Sequence, residues 1–146
     1  MPRYFSFEQA SRLLPEVERL LHAAMHARSV YEEANQAIEA LQERAHSMGG
    51  VVVNVVKARQ MRELREEGAK GLQEAVESIT ELGVLVKDLD TGLVDFPTTY
   101  RGEEVLLCWR LGEPAIGHWH GVDEGFRGRK AIDAEFLQNL GGGGVN

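Results

Sequence analysis

From Leu13 to Ala45 the apolar residues fall at alternating intervals of four and three: Leu13, Val17, Leu20, Ala24, Ala27, Tyr31, Ala34, Ile38, Leu41 and Ala45. Only an α-helix gathers such a row into one stripe, and a stripe this long needs a second helix to cover it. The same spacing resumes after Met48-Gly49-Gly50, at Val51, Asn54, Ala58, Met61, Arg65, Gly68, Leu72, Ala75, Ile79 and Leu82. VVVNVV at 51–56 has the composition of a strand, yet the resumed period predicts helix over 52–82, with Gly83 as the C′ stop. Two helices of nearly equal length, each roughly 45–50 Å at 1.5 Å per residue, joined by Gly-Gly, form an antiparallel hairpin. That turn sets Tyr31 over Gly68, Ala24 beside Ala75 and Val17 beside Leu82. Gly inside a helix costs about 0.5–1 kcal/mol relative to Ala, so Gly68 is expected to serve the packing of Tyr31 above it.

Ser6 and Gln9 read as a capping box, with Phe5 and Ala10 in the staple positions. They predict a short N-terminal helix over 7–14, after which Pro15 opens a new helix in its first turn. A second apolar row, Leu14, Leu21, Met25 and Val30, widens the stripe, so this half is expected to be covered from two sides.

Beyond Gly83 the period changes. Strands are predicted over 84–86, 93–100, 104–111 and 115–122, with turns at Asp90-Thr91-Gly92, Arg101-Gly102 and Gly112-Glu113-Pro114. Pro97 argues that the second strand is an edge or ends early. Residues 130–140 can form a helix with Ile132, Phe136 and Leu140 on one face, and 141–146 are expected to be a disordered tail. The fold class is therefore α+β, a long antiparallel helical hairpin (with the short N-terminal helix) followed by a three- to four-stranded antiparallel β-meander. With 146 residues, a single domain over 1–140 is expected: hairpin 7–82, meander 84–122, basic loop and short helix 125–140.

A net charge of -7 repels phosphate backbones, so nucleic acid is a poor partner. The lone Cys108 excludes an internal disulfide and a multi-Cys zinc site. The start has no apolar h-region and no run is apolar enough to span a bilayer, so no membrane partner and a cytoplasmic location are expected.

The densest chemistry lies at 108–129, CWRLGEPAIGHWHGVDEGFRGR. His118 and His120 sit two apart in a predicted strand and share a face, with Trp119 on the other. Such a pair can converge on one divalent ion, zinc or iron, if a carboxylate joins them. Asp95 or Asp123 is the expected third ligand, ahead of Glu124. Eight acids between Asp88 and Glu124, against only Arg101 and Arg110, favour a cation. The competing reading places both imidazoles in a core-facing row with Ile116 and Val122. Trp119, flanked by Gly117 and Gly121, either admits a flat ligand or seals the sheet. Arg127, Arg129 and Lys130 form the basic cluster of an acidic chain; they can fork onto the carboxylate or phosphate of a small ligand, or pair with nearby acids. Cys108 shares a side with Leu106 and reads as a buried structural thiol. His22 and His26 lie off the seam and are expected to face solvent.

Three segments, RYFSFEQASRLLPEV, ELGVLVKDLDTGLVDFP and LLCWRLGEPAIGHWHGVDEGFRGR, spanning 3–129 in that order, resemble the domain of unknown function 2203 family of short bacterial proteins. The resemblance implies the architecture and a bacterial source, and carries over no catalytic residue. Two functions stay open. One is a non-catalytic interaction or assembly module that dimerises through its hairpin, because the helices outrun what strands of six to eight residues cover and leave Ile38, Leu41 and Val55 bare. The other is a metal- or small-anion-binding enzyme using the His118/His120 strand and the Arg127–Lys130 loop. The first is preferred.

Overall fold

A computed structural model describes residues 3–47 and 54–141. The chain has two compact units, one from residues 1–21 with 76–146 and one from residues 22–75. Helix α1, Phe7–Ser47, and helix α2, Val55–Glu81, contribute to both. The predicted Met48-Gly49-Gly50 turn, a helix start at Val52 and the tail beyond Gly141 lie outside the described residues.

The capping box forms as read: the Gln9 N–H donates to Ser6 Oγ and the Ser6 N–H to Gln9 Oε1, both at 3.0 Å. The predicted break at Pro15 does not occur, and α1 runs through it. Pro15 and Ser11, whose carbonyl loses its helical donor, are both exposed, so water can satisfy that oxygen. The flanking Ala10, Val17, Leu20 and Leu21 stay buried, which holds the helix continuous. Asn54 caps α2 rather than joining the seam, its Oδ1 accepting the Lys57 N–H at 2.9 Å. Gly83, at φ 94, ends α2 in a Schellman turn: its N–H reaches Thr80 O at 2.9 Å and the Val84 N–H reaches Ile79 O at 3.3 Å.

In the unit from 22–75 the buried seam is small: Ala24, Ala27, Ala34, Ile38, Ala58 and Ala75. Gly68 allows the helices to approach here. A Cβ on it would lie 2.7 Å from Tyr31 N and 2.8 Å from Ala27 O, so it is the backbone of Tyr31, rather than its ring, that fills the space. Arg65 bridges the seam to Asn35 at 3.1 Å. Gly68→Ala is expected to lower stability by about 1–3 kcal/mol, because a clash with backbone outweighs the ~0.5–1 kcal/mol of helix propensity regained. Urea denaturation followed by circular dichroism measures it.

The other unit carries a five-stranded antiparallel sheet in the order β1 (Leu85–Asp88), β2 (Leu93–Tyr100), β3 (Glu103–Arg110), β4 (His118–Gly121) and β5 (Lys130–Ala131). The predicted meander is thus extended by one short strand, which takes the first residues expected in the C-terminal helix. That helix, α3, is Ala134–Gln138, capped by Asp133 Oδ1 on the Phe136 N–H at 2.8 Å. Arg101 (φ 52) and Gly102 (φ 84) both take positive φ, the signature of a tight hairpin turn. One sheet face, with Val94, Phe96, Leu107 and Trp109, packs on Phe5, Val17, Leu21 and Ile79.

Pro97 departs from expectation, since β2 is an internal strand and continues to Tyr100. The carbonyl of Pro97 accepts the Phe5 N–H at 2.8 Å, on the side away from β3, and the β1 ladder has already ended at the Leu85–Asp95 pair. N–H and C=O of one strand residue point the same way, so the missing donor falls where no ladder bond is due. Among the described residues no helix is long and apolar enough to cross a membrane.

Candidate metal centre

The sheet face opposite the helices bears the polar residues. The Arg101-Gly102 turn puts Asp95 opposite Cys108 across β2 and β3, and Cys108 in turn pairs with His118 of β4. Two residues along, Leu106 pairs with His120. Strand alternation therefore places Asp95, Leu106, Cys108, His118 and His120 on one face.

Asp95, Cys108 and His120 converge. One carboxylate oxygen, the thiol sulfur and one ring nitrogen all lie within 4.8 Å of one another, and all three residues are buried. His120 Nδ1 is 2.8 Å from the carbonyl of Gly121. A carbonyl can only accept, so Nδ1 must carry the hydrogen. His120 Nε2 faces Asp95 Oδ1 at 3.1 Å. A neutral ring with its hydrogen on Nδ1 presents a lone pair there, against a carboxylate oxygen that is also an acceptor. Only a positive centre, a proton or a metal ion, makes that contact favourable. Bonds of about 2.0–2.1 Å to a tetrahedral zinc place a nitrogen and an oxygen ligand roughly 3.3 Å apart, near the separation observed. The other oxygen, Asp95 Oδ2, is buried without a hydrogen-bond partner.

Burial and the Asp95 charge push the Cys108 thiol up to about 12. It holds its proton at neutral pH until a cation displaces it. A pocket of about 280 Å³ opens onto Asp95 and His120, walled by Leu93, Leu106, Val122 and Phe126.

The other candidates sit elsewhere. His118, on the same face, does not join the converging three: its Nδ1 accepts from Arg129 Nη2 at 2.9 Å, which leaves that nitrogen no free lone pair for a metal. The same guanidinium nitrogen contacts both oxygens of Glu113 at 2.8 Å, and the Arg129 side chain is only 9% exposed. Burial raises the Glu113 carboxyl, but Arg129, the Arg110 N–H and the neighbouring positive charge together hold it below the ordinary carboxylate value. Asp123 is an exposed turn residue outside the cluster, and Arg127 is exposed in the single turn Phe126–Gly128. Lys130 bonds Glu124 Oε1 at 2.7 Å and lies 4.7 Å above the Trp119 ring. Trp119 itself stacks on Phe136 and tilts against Tyr100, at centroid distances of 4.5 and 5.1 Å. It is half-buried by these rings and also lines a second pocket of about 420 Å³ with Tyr100, Glu104 and Val122. His22 and His26 are exposed, as expected.

The residue missed was Cys108. Alternation with Leu106 marks it only as buried, and the signal that places Asp95 across from it is the two-residue Arg101-Gly102 turn.

The family model described as "Uncharacterized conserved protein (DUF2203)" matches residues 3–132. The chain belongs to this family. Within the DUF2203 match fall all three converging residues, the Glu113–Arg129 clamp and the pocket walls. No curated protein and no solved structure is significantly similar to the chain.

Proposed function

We propose that the protein binds one divalent transition metal, zinc ahead of iron, through Asp95, Cys108 and His120. The observation that carries this reading is the meeting of His120 Nε2 and Asp95 Oδ1 at 3.1 Å while Nδ1 is committed to the Gly121 carbonyl. A ligating His whose second nitrogen is held by a backbone carbonyl is the usual arrangement at metal centres. Thiolate, imidazole and carboxylate together suit zinc. Three protein donors are the complement of catalytic rather than structural zinc, which keeps a fourth position for water or substrate. Such an ion serves as a Lewis acid or activates water, so the site supports a metal-dependent activity on a small molecule. A small-anion site at Arg127–Lys130 has weaker support, because Arg129 and Lys130 are already held by Glu113 and Glu124.

Elemental analysis of purified protein is expected to find about one zinc or iron per chain. Cobalt added to the chelator-treated protein should give a thiolate charge-transfer band that Cys108→Ser abolishes. Absence of both the stoichiometric metal and the band would sink the reading.

A second reading, dimerisation through the hairpin, is favoured by the unit from 22–75. Its buried residues are mostly alanine, which removes little apolar area from water. Of the seam residues expected to be bare, Ile38 is buried instead, while Val55 is 68% exposed, as is its neighbour Val56 at 67%, and Tyr31 and Leu64 are partly exposed elsewhere on the two helices. A second copy of the same unit would cover them in a four-helix arrangement. Sedimentation velocity at micromolar concentration should show a dimer that the double variant Val55→Asp/Val56→Asp dissociates. A wild-type monomer there would count against it.

A further inference from the structure

We propose, resting on the metal reading above, that the centre takes an uncharged small molecule with an apolar body and a single lone-pair donor at one end. Three protein ligands leave one position of a tetrahedral ion for such a donor, and the pocket of about 280 Å³ reaches the centre on its Asp95 and His120 side. Charge decides the class of head group. Thiolate and carboxylate together neutralise a dication, so an anionic fourth ligand would leave an unbalanced charge among residues that are 0 to 4% exposed. The surroundings offer an anion little. Glu124, which lines the pocket, is itself negative, and Arg129 and Lys130 are bonded to Glu113 and Glu124. The one cationic residue lining the pocket, Lys87, is an exposed strand residue. The body of the ligand is set by Leu93, Leu106, Val122 and Phe126, which offer it apolar surface.

The test uses the full-length protein loaded with cobalt, whose visible bands report a new ligand directly. Three probes are titrated: imidazole, 4-phenylimidazole and benzoate. Both imidazoles are expected to shift the bands, with 4-phenylimidazole binding at least about tenfold more tightly because its ring leaves water. Benzoate should leave the spectrum unchanged over the same concentrations. In Phe126→Ala the ratio of the two imidazole affinities should fall towards one. Benzoate binding as tightly as 4-phenylimidazole would overturn the assignment of an uncharged ligand, and equal affinity of the two imidazoles in the unaltered protein would overturn the apolar body. A cobalt spectrum with its thiolate band present but indifferent to every probe would show the ion closed by protein, ending this proposal and leaving the metal reading intact. No thiolate band at all removes both.

Discussion

His120→Ala is expected to cost the protein the metal binding proposed above and much of its stability together. Zinc affinity should fall at least about 100-fold, since loss of an outer-shell partner alone costs 10–100-fold. Without metal the variant still leaves Asp95, 1% exposed, with Oδ1 stripped of His120 and Oδ2 without a partner, so that only the Cys108 thiol remains to hydrogen-bond the carboxylate. Removing one member of a buried polar pair costs about 3–5 kcal/mol, whereas replacing both by apolar groups is often neutral. The double variant Asp95→Leu/His120→Met should therefore recover most of the lost stability and none of the zinc binding. Urea denaturation in chelator, beside calorimetric zinc titration, separates the two effects. If His120→Ala unfolds as the parent does in chelator, the pair is not the coupled unit described here.

Trp109→Ala should be the most damaging single change in the sheet, lowering stability by about 3–5 kcal/mol and the melting temperature by roughly 10 °C or more. Trp109 is 1% exposed on the helix-facing row, and its indole N–H donates to the carbonyl of Glu113 at 3.0 Å. That bond ties the core to the turn that presents Glu113, whose carboxylate also takes the Arg110 N–H at 2.7 Å and clamps Arg129. Trp109→Phe keeps most of the volume and loses the hydrogen bond, so about 1–2 kcal/mol is expected. Differential scanning calorimetry of the two variants distinguishes packing from the tie. A Phe variant as unstable as the Ala variant would mean the hydrogen bond, rather than the ring volume, dominates.

The His120 and Trp109 variants fall on opposite faces of the sheet. Its two faces are occupied differently, with helices on the Phe96, Leu107 and Trp109 side and polar residues on the Asp95, Cys108 and His120 side. A strand buried on both faces loses the alternation that marks an amphipathic sheet. In β3 the run from Val105 to Trp109 is buried throughout, so pattern alone could not separate Cys108 as a site residue from Cys108 as packing.

What the sequence determined by itself rests on backbone geometry. A seam repeating at four and three can only be a helical stripe, so the hairpin, the facing of Tyr31 and Gly68 and the Gly83 stop follow from spacing. The Arg101-Gly102 turn likewise determined that Asp95 lies opposite Cys108, because a two-residue turn leaves no freedom of register. Only the tertiary structure decided the questions that depend on neighbours from elsewhere in the chain. Whether Pro15 or Pro97 breaks an element depends on what surrounds the bond it leaves unmade: solvent that can reach the Ser11 carbonyl in one case, and in the other the side of β2 that the β1 ladder has already left. Which histidine reaches the centre was decided the same way. His118 and His120 share a face, but Arg129, held by Glu113, takes the first, while Asp95 and the Gly121 carbonyl align the second. A side chain's face is a local property of the strand; the direction its lone pairs point is set by partners that only folding brings to it.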